Sequence, residues 1–120
     1  MARTAHTNAT DGYVDIYFLP IPERNIDAYR RQATSFGKVA REYGALSYRE
    51  FRADDVGDDM KVADGDLLTA AVVDFKSREH RDEVMAKVMG DPRVTEMVDA
   101  EQLADMNRMS YGGFQTFVNA

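Results

Sequence analysis

Asp15, Glu50 and Asp74 are the residues most able to do chemistry, because each falls in a stretch whose alternating pattern reads as β-strand. A strand carboxylate turned into an apolar interior is costly to ionise, so its pKa rises toward the range useful for proton transfer. Tyrosine hydroxyls and guanidinium groups suit the complementary task of holding an anionic or enol-like oxygen. Tyr17, Tyr48, Arg52, Arg108 and Tyr111 are therefore the expected ligand contacts. A structural alternative stands beside this, in which Glu50 and Asp74 pair with Arg49, Arg52 or Arg108. If a hairpin is centred near Met60, Glu50 and Asp74 lie several residues out of register, too far apart to share a proton.

Other chemistries find no residues. His6 lies in a polar lead-in and His80 in the first turn of a helix, so no histidine pair exists for zinc or haem. The absence of cysteine removes disulfides, thiolate metal sites and a thiol nucleophile. The aspartates at 54, 55, 58, 59, 64 and 66 do not match the ligand spacing of a calcium loop and read as a solvated turn, at most a weak cation site. Gly112-Gly113 fits no phosphate loop, and there is no nucleotide fingerprint. Neither a metal nor a cofactor is expected. The methionines at 85, 89 and 97 read as gap-filling core.

The elements that must position the carboxylates follow from periodicity. Val14, Ile16 and Phe18 alternate with Tyr13, Asp15, Tyr17 and Leu19, a strand apolar on both faces, and Pro20 and Pro22 are expected to end it. From Glu23 to Tyr43 the positions Ile26, Tyr29, Ala33, Phe36, Ala40 and Tyr43 form one helical stripe, with Arg30, Arg31, Lys38 and Arg41 off it. Gly44 is placed to cap that helix. A second strand covers 45–52. A third, Leu67 to Phe75, shows only Thr69 and Asp74 as polar positions, so both of its faces need cover. Ser77 caps a second helix, which Gly90-Asp91-Pro92 breaks and restarts. Residues 99–107 are ambiguous. Arg108 to Val118 forms the last strand, with a bulge or a close backbone approach at Gly112-Gly113.

The order strand–helix–strand–strand–helix–strand predicts an α+β, ferredoxin-like βαββαβ sandwich: a four-stranded antiparallel sheet with its helices on one face. Residues 11–120 form this single domain and residues 1–10 a flexible tail. The uncovered apolar face predicts a homodimer built through the sheet faces, a dimeric α/β barrel. Most of the net charge of −6 resides between Asp54 and Asp66, and the sequence shows no basic patch, so a nucleic-acid partner is not expected. No apolar run approaches the ~20 residues of a membrane helix, and the opening residues lack a signal peptide's apolar core, so a cytoplasmic protein is expected.

Several short segments share their order and spacing with a known family. They are Asp11-Gly12-Tyr13-Val14, Glu42-Tyr43-Gly44-Ala45-Leu46, Glu50 with Ala53-Asp54-Asp55-Val56, Ser77 with Arg81-Asp82, Asp91-Pro92-Arg93, and Arg108 to Phe114. On these the chain resembles the YbaA-like family of small bacterial proteins of unknown function, placed with the dimeric α/β-barrel superfamily. The family tends to carry tryptophans on the second and third strands, where this chain has Arg52 and Val72, and no tryptophan occurs anywhere. The resemblance implies the barrel fold and no established activity. Superfamily relatives include cofactor-independent monooxygenases, isomerases, haem-degrading enzymes and ligand-sensing domains. The first expectation is thus a homodimer binding a small, partly apolar molecule between sheet and helices. The alternative is a cofactor-independent monooxygenase- or isomerase-like enzyme using a strand carboxylate as base, and an interaction scaffold is a third reading. A carboxylate lining the cavity without a salt-bridge partner would favour the enzyme; paired carboxylates and apolar walls would favour the binding module.

Overall fold

Seven strands and α-helices follow one another in a computed structural model that describes residues 12–99 and 102–120, so the expected tail of residues 1–10 lies outside the described residues. They are β1 (Tyr13–Pro22), α1 (Ile26–Glu42), β2 (Ser47–Arg52), β3 (Asp66–Phe75), α2 (Arg78–Gly90), α3 (Pro92–Asp99) and β4 (Ser110–Gln115). The strands form one antiparallel sheet in the order β2-β3-β1-β4. This is the expected ferredoxin-like α+β sandwich.

The alternation in sequence becomes two faces in space. Tyr13, Asp15, Leu19, Ile21, Thr69, Ala71, Val73 and Phe75 are all buried beneath the helices, where Val39, Ala40, Val84, Val88 and Val94 meet them. The opposite face carries Val14, Ile16, Phe18, Leu68, Ala70 and Val72, each half-buried, with Phe51 and Phe114 exposed. Both faces of β3 are apolar and the helices cover only one.

The helices obey their sequence signals. Gly44 adopts φ +119°, a conformation that lets the chain leave α1 sharply. The Ser77 side chain accepts a hydrogen bond from the His80 N–H and opens α2. Asp91 separates α2 from α3, and its backbone carbonyl accepts from the N–H groups of Val94 and Thr95.

One local expectation is corrected, and at the glycine pair one of two alternatives is selected. The prolines do not end β1, which runs through both to Pro22. Leu19 and Glu23 direct their backbone polar groups at β3, so by alternation the nitrogens of Pro20 and Pro22 face the other edge, where β4 pairing has already stopped at Phe18. A missing N–H costs nothing there. Gly112-Gly113 makes no bulge, since the register with Ile16 and Asp15 continues unbroken. Close approach is the reason for the second glycine: a Cβ at Gly113 would lie 2.1 Å from the Tyr13 hydroxyl.

Candidate functional site

Between the covered face of the sheet and the helices lies a cavity of about 340 Å³. Tyr17, Leu19 and Ala71 form part of its floor, and α1 contributes Tyr29 and Phe36. Five methionines wall it from the far side: Met85, Met89, Met97, Met106 and Met109. The expectation that Met85, Met89 and Met97 fill core gaps holds for Met85, which packs on the core, whereas Met89 is 51% exposed; all three also border this cavity.

Glu50 is the carboxylate that borders this cavity among the described residues. It points inward from β2, and the Tyr29 hydroxyl donates to its Oε1 at 2.7 Å while the Tyr48 hydroxyl donates to its Oε2 at 2.5 Å. Burial first, and then the neighbouring carboxylate, push both phenols above their usual range, so they remain protonated donors at neutral pH. No ion pair among the described residues involves Glu50. Tyr48 reaches its place because Gly37 of α1 has no side chain: a Cβ there would meet Tyr48 Cδ1 at 2.6 Å.

Asp15 lies on the same face and is 2% exposed, but it is fully engaged. Arg81 of α2 donates to its Oδ1 at 2.5 Å, and the Tyr17 hydroxyl donates to Oδ2 at 3.3 Å. The Arg81 guanidinium also lies over the Tyr13 ring, 5.0 Å from its centre. Burial raises the Asp15 pKa and outweighs the opposing pull of Arg81.

The remaining candidates are dispersed. Asp74 pairs in register with Ser47 and accepts a hydrogen bond from its hydroxyl. Glu50 pairs with Ala71, so the two carboxylates are out of register and on opposite faces. The pairing of Glu50 or Asp74 with Arg49, Arg52 or Arg108 does not occur; Arg108 instead binds Asp66 at 3.1 Å. Tyr111 stacks on Tyr17 at 5.6 Å and is 71% exposed, outside the cavity walls. Arg52 borders a separate groove of about 830 Å³ between α1 and β2, together with Arg30, Lys38 and Arg41. The sequence reading that there is no basic patch is therefore corrected: cations far apart in the chain converge here.

Residues 12–106 match the family described as a protein of unknown function, DUF1428. The chain belongs to the DUF1428 family. The uncharacterised protein YbaA of Escherichia coli strain K12 is 31% identical over 115 residues, covering 89% of this chain and 97% of YbaA. Solved structures share the fold at much lower identity. SnoaB, a cofactor-independent oxygenase from Streptomyces nogalater, superposes with a TM-score of 0.56 at 15% identity, over 91% of this chain and 96% of its own. A putative antibiotic biosynthesis monooxygenase from Caulobacter crescentus gives 0.63 at 9%, over 92% and 93%. A dimeric ferredoxin-like protein of unknown function from Thermobifida fusca gives 0.54 at 16%, over 88% and 92%.

In this DUF1428 chain three of the segments that carried the resemblance, at Glu42-Tyr43, Arg81 and Asp91–Arg93, prove to be structural joints. Arg93 grips both oxygens of Glu42 at 3.0 and 3.1 Å and also binds Asp91 at 2.9 Å, while the Tyr43 hydroxyl donates to Asp91 at 2.8 Å. These bonds, those from Arg93 foremost, hold the Asp91 carboxyl well below the usual range. The network fastens the end of α1 to the α2–α3 break. Arg81 does the same between α2 and β1.

Proposed function

We propose that this DUF1428 protein is a homodimer that binds a small, largely apolar molecule in the cavity, with a hydrogen-bond donor on the ligand directed at Glu50. The Glu50 cluster carries this reading: a carboxylate held by two tyrosine hydroxyls and faced by thioether and aromatic walls. Ligand pockets have this composition, mostly apolar with a few convergent polar groups, and 340 Å³ falls at the small end of their range of ~300–1,000 Å³. A ligand without a donor would bury the carboxylate against carbon, so neutral hydrocarbons are disfavoured. Proposed contacts are Tyr17, Tyr29, Tyr48 and Glu50.

The uncovered sheet face supports the dimer. Monomers rarely leave a contiguous apolar surface of this kind in water, and the fold neighbour from Thermobifida fusca is described as dimeric. The net charge of −6 works against a long polyanion as partner. No helix among the described residues is long and apolar enough to cross a membrane.

That no arginine among the described residues pairs with Glu50 favours a second reading, in which it takes a proton from the bound molecule while Tyr29 and Tyr48 orient it. SnoaB, a neighbour in fold, is described as a cofactor-independent oxygenase, which supports a reading in which protein side chains alone do the chemistry. Asp15, already committed to Arg81, is a poorer base, and Asp74 faces away.

Native mass spectrometry of the purified protein tests the reading, since it reports copy number and bound mass together. A dimer retaining an organic mass is expected, and Glu50→Gln should weaken retention by about 10- to 100-fold, the worth of a hydrogen bond to a charged group. A stable monomer, or a Glu50→Gln protein that retains ligand undiminished, would overturn it. Turnover of the recovered molecule by wild type and not by Glu50→Gln would establish the second reading.

A further inference from the structure

The cavity and the α1–β2 groove are neighbours, and Tyr29, Ala33, Tyr48, Glu50 and Thr69 border both. The hydrogen-bonded cluster around Glu50 is thus the boundary between the methionine-walled cavity and a groove bordered by cations. Arg30, Lys38 and Arg41 enter the groove from α1, and Arg52 from β2. No ion pair among the described residues involves any of these four, whereas Arg81, Arg93 and Arg108 each hold a carboxylate. The groove's own acids are engaged and outnumbered by its four cations: Glu42 shares Arg93 with Asp91, and both Glu50 oxygens accept from tyrosines. A chain of net charge −6 therefore carries a locally cationic groove, opening beside its apolar cavity.

We propose that the ligand is an amphipathic anion, with its apolar body in the methionine-walled cavity and a carboxylate, sulfonate or phosphate in the groove. This rests on the cavity reading above and adds the charge. The arrangement solves a desolvation problem: the anionic group remains in the groove among cations, and only the apolar portion enters the largely apolar cavity. Glu50 repels an anion at the boundary itself, so the charged end seats toward Arg30 and Arg52 or toward Lys38 and Arg41. Each exposed pair contributes little, so the preference comes from several cations together and weakens with salt.

The test uses two fluorescent probes with the same aromatic body, anilinonaphthalene sulfonate and neutral phenylnaphthylamine, titrated into the full chain. The sulfonate should bind about tenfold more tightly at low salt, and the gap should close as salt is added. Arg30→Gln with Arg52→Gln, or Lys38→Gln with Arg41→Gln, should close it in low salt as well. Arg24→Gln with Arg31→Gln removes the same charge from exposed positions outside the groove and should leave the gap intact. Equal affinity for the two probes would overturn the charge inference and leave the cavity reading standing. Failure of both probes to bind would remove the cavity reading and this one with it. An off-groove pair that closes the gap as well as the groove pairs do would overturn the inference by showing that only net charge matters.

Discussion

Replacing Arg81 by methionine should strand a charge. The Asp15 side chain is 4% exposed and that of Arg81 22%, and Arg81 supplies the guanidinium that holds Asp15 Oδ1. Removing one partner of a buried pair costs ~3–5 kcal/mol, because the other is left charged and dry. Partial exposure at Arg81 lets some water reach Asp15, and methionine preserves much of the packing over Tyr13, so the lower end applies: about 3 kcal/mol at neutral pH, or a Tm lower by about 10 °C in a chain of this size. The sign with pH is fixed by the raised Asp15 pKa. The folded protein binds this proton more tightly than the unfolded chain, so stability is fully present below the ordinary carboxylate pKa of ~4 and is lost as pH rises through the folded value. Arg81→Met raises that value further and deepens the loss. Urea denaturation at a series of pH values should show a deficit that is largest near neutrality and shrinks as pH falls toward ~4. Asp15→Asn in the same background should recover most of it. A deficit independent of pH, or a double variant no more stable than Arg81→Met, would refute the reasoning.

Two glycine replacements test the packing that builds the site. Gly37→Ala places a Cβ 2.6 Å from Tyr48 Cδ1, so Tyr48 must move from Glu50. Overpacking of ~1–3 kcal/mol should exceed the helix-propensity gain of ~1 kcal/mol, and a raised denaturation midpoint would show that α1 does not press on Tyr48. Gly113→Ala places a Cβ 2.1 Å from the hydroxyl of buried Tyr13. It should release β4 from β1, read as accelerated amide exchange across Ser110–Gln115, and unchanged exchange there would contradict the observed approach.

The parts of the molecule written in local sequence were legible without coordinates. Period-two alternation marked the faces of β1 and β3, and the stripe from Ile26 to Tyr43 marked the inward side of α1. Gly44 and Ser77 announced helix ends through chemistry that acts within a few residues. The site was harder to see because its partners are distant in the chain. Tyr29 was visible as an inward residue, but nothing nearby says that its hydroxyl ends on Glu50. Arg81 is separated from Asp15 by sixty-six residues and sits in an unremarkable helical turn. The cations at 30, 38 and 41 lie off the apolar stripe, where solvated charge is the ordinary expectation. Only the packing of α1 against β2 gathers them beside Arg52. Met85 and Met97 kept their predicted inward direction and Met89 did not, while the space before them depends on how α3 and residues 102–109 close over the sheet.

The two prolines late in β1 also bear on how copies of this chain can meet. Sheet edges are open-ended: a strand that donates and accepts along its border can recruit another, which recruits the next, the route to fibres. At Pro20 and Pro22 the border beyond the end of β4 lacks two donors in alternate positions, and Pro20 is itself buried, so an incoming strand finds no ladder to continue. The apolar face of the same sheet has no such repeat, because pairing two faces consumes both. A protein that blunts a border while leaving a face greasy directs its self-recognition toward a contact that terminates.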